Sequence, residues 1–168
     1  MHGSVAPIAV IQGAAGEAIQ ALLARFATRW SGTARIAGLI EEPDGNAVRS
    51  IVDGSRYGLF QDLGTQSAAC GLDTDALVRA GEAVRRDIAA GCDLVILSKF
   101  GKLEAENRSG LLAAFSAAAE RHIPILTSVA PRHAAAWNQF ADPLSVLLPP
   151  DLATIERWWW EAGGRRSS

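Results

Sequence analysis

The sequence predicts a three-layer α/β domain, with a mainly parallel sheet covered by helices on both faces and a small antiparallel insertion. Three observations predict it. Short apolar runs rich in β-branched residues alternate with amphipathic helical patterns, as parallel strands and their crossover helices do. Two further strand-like segments follow the turn Pro43-Asp44-Gly45-Asn46 without a helix between them, which reads as an antiparallel insertion. A chain of 168 residues is long enough for one core and too short for two ordinary ones. The expected organisation is one domain over residues 5–162, followed by a flexible C-terminal tail, 163–168.

The elements follow in order. Residues 7–12 form a short apolar strand that passes through Gly13-Ala14-Ala15-Gly16 into a helix with its stripe at Ile19, Leu22, Leu23, Phe26 and Trp30. Residues 35–41 read as a buried strand, and 47–52 and 57–61 as the shorter strands of the insertion. Asp73 or Thr74 caps a helix with Leu77, Val84 and Ile88 inward, and Gly91 stops it before the continuous apolar run 94–97. One helix is expected over 104–122, with its stripe at Leu111, Leu112, Phe115 and Ala119, and a buried strand over 123–129. Pro131 suits a helix start, with Trp137 and Phe140 inward. Residues 144–148 give a last strand before Pro149-Pro150 and a helix from Asp151.

Composition narrows the function classes. With 49% hydrophobic and 20% charged residues the chain is an ordinary globular one, which excludes disorder. A net charge of only -2 supplies no global field toward nucleic acid or an acidic membrane, so neither is expected as a partner and any anion site must be local. Residues 5–11 are apolar, but no basic region precedes them and Gln12-Gly13 ends them too early to span a bilayer. The expectation is a cytoplasmic protein with two reduced cysteines, Cys70 and Cys92.

In parallel sheets ligands sit beyond the carboxyl ends of the strands, which directs attention to the loops after Gln12, Leu97 and Val129. The first is a glycine turn opening a helix, a place where backbone N–H groups and the helix dipole favour an anion. Gly13, Ala14, Ala15 and Gly16 are therefore candidate ligand contacts in a P-loop-like turn. The full phosphate-loop pattern needs a lysine and a serine or threonine after the last glycine, and Glu17 and Ala18 stand there. The same turn also reads simply as small residues that let a helix pack closely on a sheet.

The second loop inverts an expectation. Hydrolytic members of this fold end the second buried strand in an acidic residue that holds magnesium, whereas this chain continues Ser98, Lys99, Phe100, Gly101, Lys102. Ser98, Lys99, Gly101 and Lys102 suit direct contact with an oxyanion without an intervening metal, although solvated loop lysines read equally well. If the two strands are neighbours, the lysines face the glycine turn across a gap of anion size. Glu104 and Arg108 can pair at the i, i+4 spacing on the following helix.

The stretch Asp93-Leu94-Val95-Ile96-Leu97-Ser98-Lys99-Phe100-Gly101-Lys102-Leu103-Glu104-Ala105-Glu106, with Cys70-Gly71-Leu72-Asp73, resembles a bacterial family, domain of unknown function 2478. Gln61-Asp62-Leu63-Gly64, Ile125-Leu126-Thr127-Ser128-Val129, Ala136-Trp137, Phe140-Ala141 and Leu147-Leu148-Pro149-Pro150-Asp151 extend the resemblance over residues 8–159. That family is similar to small P-loop nucleoside-triphosphatases. Gly101 and Glu104 fit the relatives' pattern, while Ser98 and Lys99 stand where they carry acids. The resemblance implies an association with molybdate transport, and a tetrahedral oxyanion such as molybdate, sulfate or phosphate is chemically compatible with an anion cradle.

Gln61, Cys70, Glu104 and Arg108 are accessory candidates. Cys70 lies just before a helix N-terminus, where a thiol becomes more acidic, but a small packing residue fits as well. Cys92 reads as packing. His122 and His133 have no acidic neighbours arranged as a ligand set, so no metal site is expected. Ser98, Ser128 and His133 do not compose a convincing triad. Trp158, Trp159 and Trp160 are consecutive and cannot all face one core, so self-association through that helix is expected.

The leading expectation is a non-hydrolytic protein that binds an oxyanion or nucleotide on a degenerate P-loop fold. Two alternatives stand beside it. One is a diverged nucleoside-triphosphatase or nucleotide kinase, in which Lys99 or Lys102 replaces the missing lysine and Glu104 or Glu106 serves as acid or base. The other is an oligomerisation or scaffold module without a ligand.

Overall fold

A computed structural model of the chain describes residues 6–59 and 74–163. Seven strands form one sheet in the order β4-β3-β2-β5-β6-β1-β7. The parallel part comprises β1 (Ile8–Ile11), β2 (Ile36–Glu41), β5 (Leu94–Ile96), β6 (Ile125–Ser128) and β7 (Ser145–Leu148). The antiparallel insertion is β3 (Ala47–Ser50) and β4 (Arg56–Gly58), added beside β2. The expected α/β architecture, mainly parallel with a small antiparallel addition, is therefore observed.

β1 and β5 are apolar and buried at every position because both of their faces are covered. Side chains alternate across a strand, so Ile8 and Val10 of β1 enter one core while Ala9 and Ile11 enter the other. The first core holds Val95, Leu97 and Ile125 against α2 (Thr74–Ala90), α4 (Leu112–Glu120) and α5 (Ala134–Ala141). The second holds Ile36, Leu94, Ile96 and Leu126 against α1 (Gly16–Trp30) and α6 (Leu152–Ala162). Trp158 and Trp159 are buried in that second core and Trp160 is left 49% exposed, as three consecutive helical residues require.

The helix expected over 104–122 is broken in two. The first piece, α3 (Lys102–Asn107), ends at Arg108 in a left-handed conformation (φ 50°), and Gly110 (φ 64°) follows before α4 begins. Asn107-Arg108-Ser109-Gly110 is a helix-terminating sequence that the apolar stripe had overridden in the reading by periodicity. Leu111 and Phe115 face inward as expected, and Ala118 is buried where Ala119 was expected. Pro131 opens a 3-10 turn (Pro131–His133) rather than α5 itself.

Candidate functional site

The tips of β1, β5 and β6 end at one edge of the sheet, and the loops leaving them surround a cavity of about 530 Å³. Why each loop takes its shape is local. After β1, Gly13 has φ 108°, a conformation L side chains rarely adopt, and a Cβ there would sit 3.2 Å from the Pro150 ring. Gly16, the first residue of α1, has open space where a Cβ would point. Among the described residues, the amides of Gly16, Glu17 and Ala18 find no acceptor, as in the first turn of any helix without a side-chain cap. Gly13, Ala14 and Gly16 line the cavity; Ala15 does not.

The strands carrying the two candidate loops are not neighbours. β6 lies between β1 and β5, so the glycine turn and residues 98–102 stand two strand spacings apart, roughly 10 Å. At that spacing one oxyanion does not reach both strand tips. The chain between them is the loop after β6, where Ser128, Val129, Ala130 and the turn Pro131–His133 all line the cavity. Gln12 ties the glycine turn to this middle loop by donating its amide to the carbonyl of Val129.

The loop after β5 alternates its side chains inward and outward. Ser98 is buried, and its carbonyl accepts from Ser128 Oγ at 2.9 Å and from Gln20 Nε2 at 2.8 Å. Phe100 is buried against Phe115, Trp137 and Phe140, and its backbone bridges to Val129 of the middle loop. Lys99 and Lys102 are the exposed members. Gln20, buried on α1, also accepts from the amide of Glu41 at 3.1 Å, so one side chain fastens α1 to the tips of β2 and β5. Lys99 Nζ lies 3.2 Å from Glu41 Oε2. Lys102 forms no ion pair among the described residues.

Glu104 does not pair with Arg108, as its spacing had suggested. It is 4% exposed, and its two carboxylate oxygens accept from the amides of Gly101 at 2.8 Å and Leu111 at 2.7 Å, which closes α3 onto the start of α4. Arg108 stands outside the helix at its left-handed end and does not line the cavity. Gln61 and Cys70 lie outside the described residues. Half-buried Cys92 has its thiol pushed up from its ordinary value by burial and by the charge of Asp93.

Of the residues singled out from the sequence, Gly13, Ala14, Gly16, Ser98, Lys99, Gly101, Lys102 and Glu104 come together around the cavity. Polar and charged residues of the lining that were not among those candidates include Gln12, Gln20, Glu41, Arg132 and His133. Arg132 is exposed, whereas His133 is 7% exposed and its buried Nε2 has no hydrogen-bond partner. Ser128 bonds to the backbone of Ser98, and Ser98, Ser128 and His133 share no side-chain hydrogen bond that would make them a triad. The signal for Glu41 and Arg132 was present in the sequence as charges placed at strand tips. Gln20, a polar residue on an apolar helix stripe, was visible in the same way.

No helix of the described residues is long and apolar enough to cross a membrane, and no three metal-ligating side chains cluster among them. No solved structure matches the chain. A curated relative, the molybdenum import ATP-binding protein ModC 2 of Bradyrhizobium diazoefficiens, is 32% identical over 139 residues, 78% of this chain. The match spans only 15% of the length of that relative. The family described as protein of unknown function (DUF2478) matches residues 8–158, nearly the whole chain, and the chain belongs to that family.

Proposed function

We propose that this chain is a non-hydrolytic binding protein of degenerate P-loop fold, holding an anion, as a free oxyanion or as part of a nucleotide, at the tips of its parallel strands. The observation that carries the reading is a single cavity lined by both the glycine turn of α1 and the exposed Lys99 and Lys102. Free amides at a helix start and lysine side chains on the far wall of the same cavity each suit an anion. Similarity to a molybdenum import ATP-binding protein supports the P-loop relationship and a setting in molybdate metabolism. A cytoplasmic location is part of the same reading.

The diverged triphosphatase is the second reading, favoured by the relative's ATP-binding description. It needs Glu104 or Glu106 as acid or base, but both oxygens of Glu104 are engaged by backbone amides and the carboxylate is buried. It also needs Lys99 or Lys102 in the place of the missing lysine; Lys99 is paired with Glu41, whereas Lys102 has no ion pair among the described residues. The scaffold reading retains the exposed Trp160 as a self-association contact.

A thermal-shift and calorimetric screen of phosphate, sulfate, molybdate, ATP and GTP, each with and without magnesium, tests the proposal. A ligand that binds only the native state raises its midpoint. The expected result is stabilisation that does not need magnesium. Magnesium-dependent turnover lost on Lys99→Ala would favour the second reading, and no shift with any anion would remove the first.

A further inference from the structure

We propose that β7 is a docking edge for a second copy of this chain, whose own β7 pairs with it antiparallel about a twofold axis at Val146. β7 is the last strand on its side of the sheet, and among the described residues no strand pairs with its outer edge. The carbonyls of Leu144 and Leu148 accept from the amides of Ile8 and Gln12, each at 3.2 Å. Successive residues of a strand turn their backbone groups to opposite sides, so Ser145 and Leu147 point theirs outward. A bare strand edge is a template for further pairing, and proteins blunt such edges with charge. The opposite end of the sheet is blunted in that way, since Arg56 of β4 and Arg49 of β3 are both held by Glu42. β7 is not. Residues 134–150 contain one charged side chain, Asp142, in a chain that is 20% charged, and Leu144 and Leu147 stand 48% and 61% exposed.

The occupant follows from the pattern of the edge itself. Pro143 and Pro149 stand symmetrically on either side of Val146, at outward-facing positions, and neither has an N–H. Ser145 and Leu147 are therefore the outward donors of this edge. A second copy matches them in one register. About an axis at Val146, Ser145 of each copy exchanges both backbone bonds with Leu147 of the other, whereas an axis at Ser145 or at Leu147 sets one of these residues against a proline. The same register lays the exposed Leu144 beside Leu148 of the other copy as an apolar cross-strand pair, next to the second core. Charge is matched too, because an uncharged edge meets an uncharged edge. α5 carries no charged residue either and is tied to β7 by Trp137 Nε1, which donates to Ser145 Oγ at 3.1 Å. Its copy adds area beside the strand toward the roughly 1,200 Å² that a lasting interface buries. The prolines end the pairing, so the assembly closes at two copies. Because β7 and its copy run in opposite directions, the two cavities open at opposite ends of the dimer.

Sedimentation of the full chain together with oxidative cross-linking tests the pairing. The wild type is expected to sediment as a concentration-dependent dimer. Leu147→Lys, a change at an exposed position, is expected to stay monomeric over the same range with an unchanged melting temperature. Val146→Cys is expected to give a disulfide-linked dimer under mild oxidation, because residues facing one another on the axis have Cα atoms about 4.5 Å apart. Leu144→Cys, whose copy lies far along the other strand, and the wild type with its own cysteines are expected to give none. A wild type that is monomeric at every concentration would overturn the proposal, whatever other protein binds this edge. So would a dimer that Leu147→Lys leaves intact or that Trp160→Ala separates, since either places the contact elsewhere. If Leu147→Lys does not fold, cross-linking decides, and the proposal falls if Val146→Cys links no more than Leu144→Cys.

Discussion

The carboxylate of Glu41, at the tip of β2, stands 3.2 Å from the ammonium of Lys99, in the loop after β5. Lys99 is 55% exposed and Glu41 only 16%, so the pair is partly solvated and worth up to about 1 kcal/mol. An incoming anion has to compete with this internal carboxylate. Glu41→Gln should therefore raise phosphate affinity about two- to fivefold at low salt, with the gain shrinking as ionic strength rises. Unchanged affinity in titration calorimetry would show that Lys99 is not a ligand contact.

Glu104 and Gly110 depend on one another. A Cβ on Gly110 would fall 2.2 Å from Glu104 Oε2, and the backbone there is left-handed. Glu104→Gln replaces one acceptor with a donor facing an amide, and Glu104→Ala leaves two amides without partners. Each should lower unfolding stability by about 2 to 4 kcal/mol, measured by denaturant melts. Gly110→Ala should fall in the same range. Full stability with lost turnover in Glu104→Gln would instead support the role as acid or base.

Two glycines that look alike in sequence should respond oppositely. Gly38 in β2 has φ 136°, and a Cβ would lie 1.8 Å from the carbonyl oxygen of Ile96 in the neighbouring strand. Gly38→Ala should lose on the order of 3 to 5 kcal/mol or fail to fold. Gly16 opens α1 into free space, so Gly16→Ala should stay within about 1 kcal/mol of the wild type. If Gly16→Ala melts as early as Gly38→Ala, the open space at the start of α1 is not there.

Asp87 on α2 has its carboxyl raised above the ordinary aspartate range, first by burial and then by the charge of Asp53. A folded-state pKa above the unfolded one means that ionisation weakens the fold. The penalty is absent below the unfolded value and grows as pH rises through the folded value. Asp87→Asn should accordingly raise the melting temperature at pH 7 and leave it unchanged near pH 3. An equal shift at both pH values would assign the effect to something other than charge.

Trp160 projects 49% exposed from α6, beside the buried Trp158 and Trp159. If it joins two copies, sedimentation should show a concentration-dependent mass for the wild type and a monomer for Trp160→Ala, with the melting temperature little changed. The same mass for both proteins at high concentration would remove self-association through this helix.

The strand and helix pattern was legible because both faces of the central strands are covered, which makes segments such as 8–11 and 94–97 continuous apolar runs. The order of the strands was not. Nothing in the composition of β6 distinguishes it as the strand that separates β1 from β5, and the expectation of an anion-sized gap rested on that adjacency. Ser98, Lys99 and Lys102 were readable as a charged loop, but Phe100 was not readable as its anchor, since its ring partners Phe115, Trp137 and Phe140 come from α4 and α5. The role of Glu104 was misread for a related reason. Its spacing to Arg108 is helical, and only the break at Gly110 brings the amide of Leu111 within its reach.

The strand order also constrains how the chain is assembled. Ile8 of β1 pairs with Ile125 of β6 and with Ser145 of β7, partners more than a hundred positions later in the chain. During synthesis β1 waits, unpaired and wholly apolar, until β6 and β7 have been made. Contacts this distant in sequence slow folding and prolong exposure of a sticky segment. β1 is thus fixed in the sheet only when its two neighbours arrive, and removing β7 would leave one of its edges bare.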